Sequence, residues 1–274
     1  MTPGRYQSFE SVAGDYDLTR VIPDALLAEI TRLLSREAKL AQGGLFLDAG
    51  VGTGRFAAPL ANAHPTQIIG IDIAPAMMAR IHRKSVPGRL SLAQADLQRL
   101  PFGDGVFAGV LLVHILHLIE QWPLVLTEVR RVLAPEMGIL FLGVEMGGRS
   151  ALVDFYYEQA RIRALLPASL GAPGLAQVLS FLSRPERDGG IGAQVTTLDL
   201  PRLAWRRVVP ISRTLEALSR RTYSQMWAIS DAAHQDLLSE TRDFARRTFR
   251  RPDAVEVLKS RFVMHTARWI PGSV

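Results

Sequence analysis

The sequence contains no cysteine. That absence excludes disulfides, thiolate nucleophiles and cysteine-based zinc sites, and it fits a reducing compartment. No uninterrupted apolar run reaches the roughly 18 residues a membrane helix needs, and the opening "MTPGRYQSFESVAGDYD" lacks an apolar signal core. A soluble, cytoplasmic protein without membrane attachment is expected. The six histidines are scattered, with no compact ligand grouping of carboxylates around them, so no metal site is expected. Lysine is nearly missing, and arginine carries most of the positive charge.

That charge is unevenly placed. Residues 1–148 hold 13 Lys+Arg against 14 Asp+Glu, whereas residues 149–274 hold 19 against 12. A basic second half suits an acidic substrate, a nucleic acid or simply a solvated arginine-rich surface. At 274 residues the chain has room for one large domain, or for a core with an elaboration.

What the sequence does have is a glycine-rich turn. "GGLFLDAGVGTGRF" reads as a short buried strand ending at Asp48, a turn with Gly50, Gly52 and Gly54, and a helix that Pro65 stops. Gly52, Gly54 and Ala57 also satisfy the dinucleotide spacing G-x-G-x-x-A, so the pattern alone is weak. Asp48 separates the two ligands. A carboxylate behind the turn repels a pyrophosphate, but it suits the ammonium and sulfonium of S-adenosylmethionine (SAM).

A pass along the chain predicts an amphipathic helix in "IPDALLAEITRLLSREAKL" and strands at 45–49, 68–72, near 90–95, over "VFAGVLLVHILHLI" and over "GILFLGVE". Asp72 closes the second strand about 20 residues beyond the glycines, the spacing at which an acid reaches ribose hydroxyls. Alternating strands and helices over this stretch predict a doubly wound parallel sheet. After Glu145 the rhythm changes. "MGGRS" reads as a flexible joint, and a helical stripe of Leu152, Phe155, Gln159, Ile162 and Leu166 follows. "PASLGAPGLAQ" and "RPERDGGIGAQ" read as loops, and a sixth strand is expected in "VTTLDLPRLAWRRVVP". Helix resumes from Ser212, and "VEVLKSRFVMHTARWI" is the last strand.

Four segments in this order and spacing, "LDAGVGTGRF", "IIGIDIAPAMM", "ADLQRLPFGDGVFAGVLLVHILHLI" and "LTEVRRVLAPEMGIL", make the chain resemble the class I SAM-dependent methyltransferases. The likeness is to the small-molecule branch of the ubiquinone/menaquinone-biosynthesis type, over residues 8–145. The resemblance implies an α/β, Rossmann-like methyltransferase fold, with a mostly parallel seven-stranded sheet, its last strand antiparallel, and a helical lid insertion. Residues 1–148 would form the SAM-binding core, and residues 149–274 the lid and the last two strands. Carried over by position, Asp48, Ala49, Gly50 and Gly52 surround the methionine part of SAM, and Asp72 takes the ribose hydroxyls. Ile73 and Met77 cover the adenine, Asp96 accepts its amino group and the Leu97 N–H meets a ring nitrogen. Tyr16, Asp17 and Arg20 match a "YD..R" signature that folds over the cofactor. The chain departs from the usual pattern at "PEMG" (135–138) and at Ala108.

Methyl transfer is an in-line displacement whose main demand is alignment, so no catalytic residue is assigned. His114, after the fourth strand, is the better candidate to line the pocket near the methyl group. His117 is expected to pack under the loop. Phe155, Tyr156, Tyr157, Tyr223 and Trp227 are candidates to cover an apolar acceptor, or else pack among themselves. The expected reaction is O- or C-methylation of a small organic metabolite, leaving S-adenosylhomocysteine (SAH). The alternatives are an RNA or DNA methyltransferase using the basic half, disfavoured by the lack of any nucleic-acid-binding module, and a non-catalytic SAM-binding protein whose lid serves as a dimer or partner surface.

Overall fold

The computed structural model of the chain describes residues 21–81, 88–166, 171–172, 174–198, 203–251 and 253–269. Helix α1 (Asp24–Glu37) forms as its leucines predict, burying Leu26, Ile30, Leu33 and Leu34, with Asp24 in its first turn and Arg36 in its last, each matched to the helix dipole. Five parallel strands follow: β1 (Leu45–Ala49), β2 (Ile68–Asp72), β3 (Leu90–Gln94), β4 (Phe107–Val113) and β5 (Ile139–Gly147). They lie in the order β3-β2-β1-β4-β5. The order reverses between β1 and β4, and such a reversal opens a crevice at the carboxyl ends of the strands.

Side chains of successive strand residues go to opposite faces. Phe46 and Phe141 therefore join α1 and α2 (Ala57–Ala63) in one apolar core, while Leu47, Leu140 and Leu142 join α4 (Trp122–Val132) and α6 (Leu175–Ser183) in another. The short α3 (Pro75–Met78) follows β2. A third cluster lies among α5 (Ala151–Ile162), α7 (Ile211–Ser219) and α8 (Asp231–Thr248), centred on Tyr156, Leu152, Leu218 and Leu237. These helices are the ones expected to form a lid.

The sheet has eight strands rather than the seven expected, because the weakly alternating segment holds two: β6 (Gln194–Leu198) and β7 (Ala204–Pro210). Both pair with β8 (Val255–Arg268), which is 14 residues long and runs antiparallel to β5 along its other edge. A strand of that length has room for two short partners end to end.

Other expectations change as well. The fourth apolar run is strand only to Val113; the chain then turns at His114, with φ +51°, into a 3₁₀ turn at Leu116–Leu118. "MGGRS" is a fixed turn rather than a flexible joint. Gly147 pairs with Ser260, the Gly148 N–H donates to the Lys259 carbonyl at 2.8 Å, and both glycines have positive φ. The segment read as a loop around Leu175 begins α6. On α5 the buried stripe is Leu152, Val153, Tyr156, Tyr157 and Ala160, and Ile162 is exposed, so the predicted stripe was rotated about the helix axis. The two departures from the family pattern fit locally: Ala108 faces Gly44, where a Cβ would lie 3.0 Å from its own, and "PEMG" closes a turn through Gly138 N–H to the Ala134 carbonyl at 2.8 Å.

Candidate cofactor and acceptor site

The glycine turn lies at the carboxyl end of β1, beside the point where the strand order reverses. Gly50, Gly52 and Gly54 all have left-handed φ, of 86°, 51° and 74°, a conformation that side chains disfavour. A Cβ on Gly54 would also come within 2.8 Å of Ile81. The N–H groups of the turn point inward. Those of Gly50 and Val51 both donate to the Ile71 carbonyl at 2.8 Å, that of Gly54 donates to the Val51 carbonyl at 2.9 Å, and that of Gly52 donates to Asp72 Oδ2 at 2.9 Å. Donors spent in this way leave little with which to cradle a pyrophosphate, whose binding at such turns relies on free N–H groups.

Two carboxyls stand behind the turn. Asp48 is buried, and burial pushes its carboxyl up to about 7; a backbone hydrogen bond from Ala57 opposes the shift, nearby Asp72 adds to it and Arg55 reduces it. A carboxyl held at that value, with no ion pair to any described residue, favours a ligand that brings positive charge. Asp72 is half-buried and braces the turn from β2, its Oδ2 on Gly52 and its Oδ1 accepting the Ala74 N–H at 2.9 Å. Each carboxylate oxygen has two acceptor directions, so this bracing leaves capacity for further donors. Ile73 is half-buried, and Met77 is buried with its Cε 3.5 Å from where a Gly52 Cβ would lie.

Beyond β3, Asp96 is exposed and its carboxylate accepts the Gln98 N–H at 2.9 Å, while the Leu97 side chain is buried. The loop after it is pinned by Arg131, which donates to the Leu100 and Phe102 carbonyls and pairs with Glu128 and Asp104. The Arg131 hydrogen bond, chiefly, holds the Glu128 carboxyl below its ordinary value.

At the ends of β4 and β5, His114 Nε2 accepts the Glu145 N–H at 3.3 Å, which places the proton of the neutral ring on Nδ1. The Glu145 carboxylate forms an ion pair with Arg55 at 3.5 Å, both side chains being largely buried. Arg55 follows the glycine turn directly, so this pair ties the turn to the end of β5. This pair could not be read from the residues alone, because the partners lie 90 residues apart and neither type is unusual at its position. His117 is exposed, contrary to the expectation that it packs under the loop. Tyr156 and Tyr157 are buried in the lid core, Phe155 stacks on Phe244 at 4.3 Å and the Trp227 ring N–H donates to the Arg221 carbonyl at 2.7 Å. Tyr223, among the five aromatics, lines a cavity. Tyr16, Asp17 and Arg20 lie outside the described residues. Among the described residues no cluster fits a metal ion, and no helix is long and apolar enough to cross a membrane.

Residues 47–142 match the methyltransferase domain family. The chain is 30% identical over 152 residues to the ubiquinone/menaquinone biosynthesis C-methyltransferase UbiE of Syntrophotalea carbinolica, an alignment covering 54% of this chain and 64% of that protein. The chain thus spans less than two thirds of that relative's length. Among solved structures it is similar to the YcgJ protein of Bacillus subtilis, with a TM-score of 0.55 and 17% identity, over 90% of this chain and all of the other. It is also similar to the [4+2]-cyclase SpnF, with a TM-score of 0.50 and 20% identity, over 89% of this chain and 82% of that one. Likeness at such identity speaks to the fold alone. The matched segment coincides with the glycine turn, the two carboxyls and strands β1 to β5, so the part of the chain that is similar to methyltransferase domains is the part that builds the candidate site.

Proposed function

We propose that the protein transfers a methyl group from SAM to a small organic acceptor. The observation that carries this reading is Asp48, a buried carboxyl without an ion pair to any described residue, behind a turn in which the N–H groups of Gly50, Val51, Gly52 and Gly54 are spent inside the protein. That site suits a cationic cofactor and not a pyrophosphate. When bound, SAM supplies an electrophilic methyl: the acceptor's nucleophile forms the new bond to carbon, the C–S electron pair stays on sulfur to give SAH, and any acceptor proton leaves to solvent.

The chain's own residues bind, orient and shield. Asp48, Ala49, Gly50 and Gly52 border the methionine end. Asp72 receives the ribose hydroxyls. Ile73 and Met77 offer an apolar face to the adenine, and Asp96 with the Leu97 N–H offers an acceptor and a donor to its edge. Tyr16 and Arg20 belong to the same proposal through the family resemblance. His114 lines the methyl end as a neutral ring oriented by Glu145. Function divides near Gly148, with the cofactor held before it and the acceptor chosen after it. A cytoplasmic location accords with the absence of cysteine. A homodimer is compatible with this reading, which does not require one.

Thermal melts test the cofactor: SAM and SAH should raise the melting temperature, and NADH should not. Incubation with labelled SAM and a fractionated cell extract tests the acceptor. Label confined to tRNA or protein would overturn the small-molecule reading.

A further inference from the structure

A cavity of about 210 Å³ lies between the end of β5, the start of α5, β7 and α7. Two exposed arginines of its lining are matched within the protein, Arg149 by Asp154 at 2.7 Å and Arg220 by Glu216 at 2.8 Å. The sheet side of the cavity is different. Glu145, which lines it, has a side chain only 8% exposed and an ion pair with Arg55 at 3.5 Å, yet its Oε2 makes no hydrogen bond with any described residue. Ser260 Oγ and Trp205 Nε1 are buried in the same condition. All three residues lie on one face of three neighbouring strands. Gly147 of β5 and Trp205 of β7 both pair with Ser260 of β8, Glu145 pairs with Phe262, and Leu258, two residues from Ser260 on that face, lines the cavity. Ser260 Oγ fills the space that a Cβ on Gly148 would need, and Gly148 belongs to the lining too. Buried polar atoms are nearly always hydrogen-bonded, so an acceptor, a hydroxyl and an N–H left unsatisfied side by side, next to a cavity, mark a place for a ligand's polar group.

We propose that this wall anchors the methyl acceptor by a hydroxyl group, which donates its hydrogen to the Glu145 carboxylate and accepts from the Ser260 hydroxyl. This assignment rests on the methyltransferase reading above. The types of the three orphaned groups select the ligand. A carboxylate can only accept, so the ligand must bring a donor; the Trp205 N–H can only donate, so the ligand must also bring an acceptor. A hydroxyl is both at one atom, whereas an ammonium has no acceptor and an anion has nothing to give Glu145 and is repelled by it. A hydrogen bond to an ionised carboxylate in a buried place is among the stronger neutral-ligand contacts, which makes Glu145 the chief discriminator. Val153, Val209 and Leu258 beside the Tyr223 ring offer an apolar wall for the rest of the molecule. The volume is below the roughly 300–1,000 Å³ of sites for larger ligands, so the occupant is compact. The anchor also adjoins the transfer site, because the Glu145 N–H holds His114 at the end of β4.

The test is calorimetry with the full chain saturated with SAH, using phenol, its methyl ether anisole and aniline as probes of one size. Phenol should bind about ten-fold or more tighter than anisole, which keeps the acceptor oxygen and lacks the hydrogen for Glu145. Glu145→Gln keeps the shape and removes the charge, and Ser260→Ala removes a hydroxyl that has no partner inside the protein; each should shrink the preference for phenol. Ser260→Ala should do so with SAH affinity unchanged and a melting temperature equal to or above the parent's, since deleting an unsatisfied buried hydroxyl costs the fold nothing. A merely structural Ser260 would leave the probe preference untouched. Equal binding of phenol and anisole, no binding of either, or a preference that survives both substitutions would overturn the proposal, and aniline binding tighter than phenol would replace the hydroxyl by an amine and overturn it as well. Failure of the parent protein to bind SAH, with the preference for phenol intact, would overturn the acceptor role and locate the fault in the cofactor reading.

Discussion

The two halves of the molecule stabilise opposite charges. Up to Glu145 the groups proposed to hold the cofactor are carboxyls at strand ends, Asp48 and Asp72, held by the backbone N–H groups of Ala57, Gly52 and Ala74. Beyond Gly148 the charged groups are mostly guanidiniums on helices and an outer strand, of which Arg149, Arg207, Arg213 and Arg220 line a cavity with Glu216 among them. The difference lies in how each charge is fixed. A carboxyl at the end of a parallel strand is positioned by main chain, which many sequences can reproduce. The arginines are positioned by which face of a helix or strand happens to be turned inward, so their site is particular to this chain.

Each half can be broken without the other. The largest effect is expected from Asp72→Ala, which removes the brace on Gly52 and Ala74 together with the proposed ribose contacts; SAH affinity should fall by about 2–4 kcal/mol by calorimetry.

A pH series sharpens the same comparison. The ligand-free Asp48 carboxyl is raised from 3.8 to about 7 by burial, so between those values the native protein keeps a proton that the unfolded chain has lost. Its contribution to the stability of the ligand-free protein is accordingly full below 3.8, falls as pH rises through that window and is gone above about 7. Binding a cation displaces that proton. SAM affinity should therefore rise with pH up to about 7 by as much as ten-fold per unit and then level off. Asp48→Asn should flatten the profile, and an unchanged slope in that variant would remove Asp48 from the site.

In the lid, Tyr156→Phe deletes a buried hydrogen bond of 2.7 Å from the hydroxyl to His234 Nδ1. His234 is buried and its pKa is lowered chiefly by that burial, so the ring is a neutral partner. Chemical denaturation should show a loss of about 1–2 kcal/mol, with SAH affinity retained. The smallest effect belongs to Gly189→Ala. Its φ of 78° is strained for alanine, but a Cβ there meets nothing within 4 Å, so the cost should be about 1 kcal/mol.

The uneven legibility of the sequence follows from the same contrast. The glycine turn, Asp48 and Asp72 could be read because strand, turn and next strand end are close in sequence and each leaves a local mark: an apolar run, glycines needing positive φ, an acid at a fixed distance. His114 was read from its place after β4, though not the left-handed bend that ends the strand there. Arg55 with Glu145 and the arginine cavity were not legible. Their partners meet only after the sheet has assembled, and arginines abound throughout the second half. The α5 stripe was misjudged because Leu152, Phe155 and Ile162 fit a helical period as well as the stripe containing Tyr156 and Ala160, and α7 and α8 decide between them.

The length of β8 bears on how the chain is made. Its central stretch zips along β5 from Leu140↔Ala267 to Gly147↔Ser260, a pairing between segments more than 100 residues apart. During synthesis at ~5–20 residues per second, the methyltransferase segment is complete on the order of ten seconds before its closing strand emerges. Throughout that interval the apolar edge of β5 has no partner from this chain, which is the state in which sheet edges recruit foreign strands. The expected weakness of the protein is therefore in biogenesis. Slower translation between Gly148 and Val255 should lower the soluble yield even though it changes no residue.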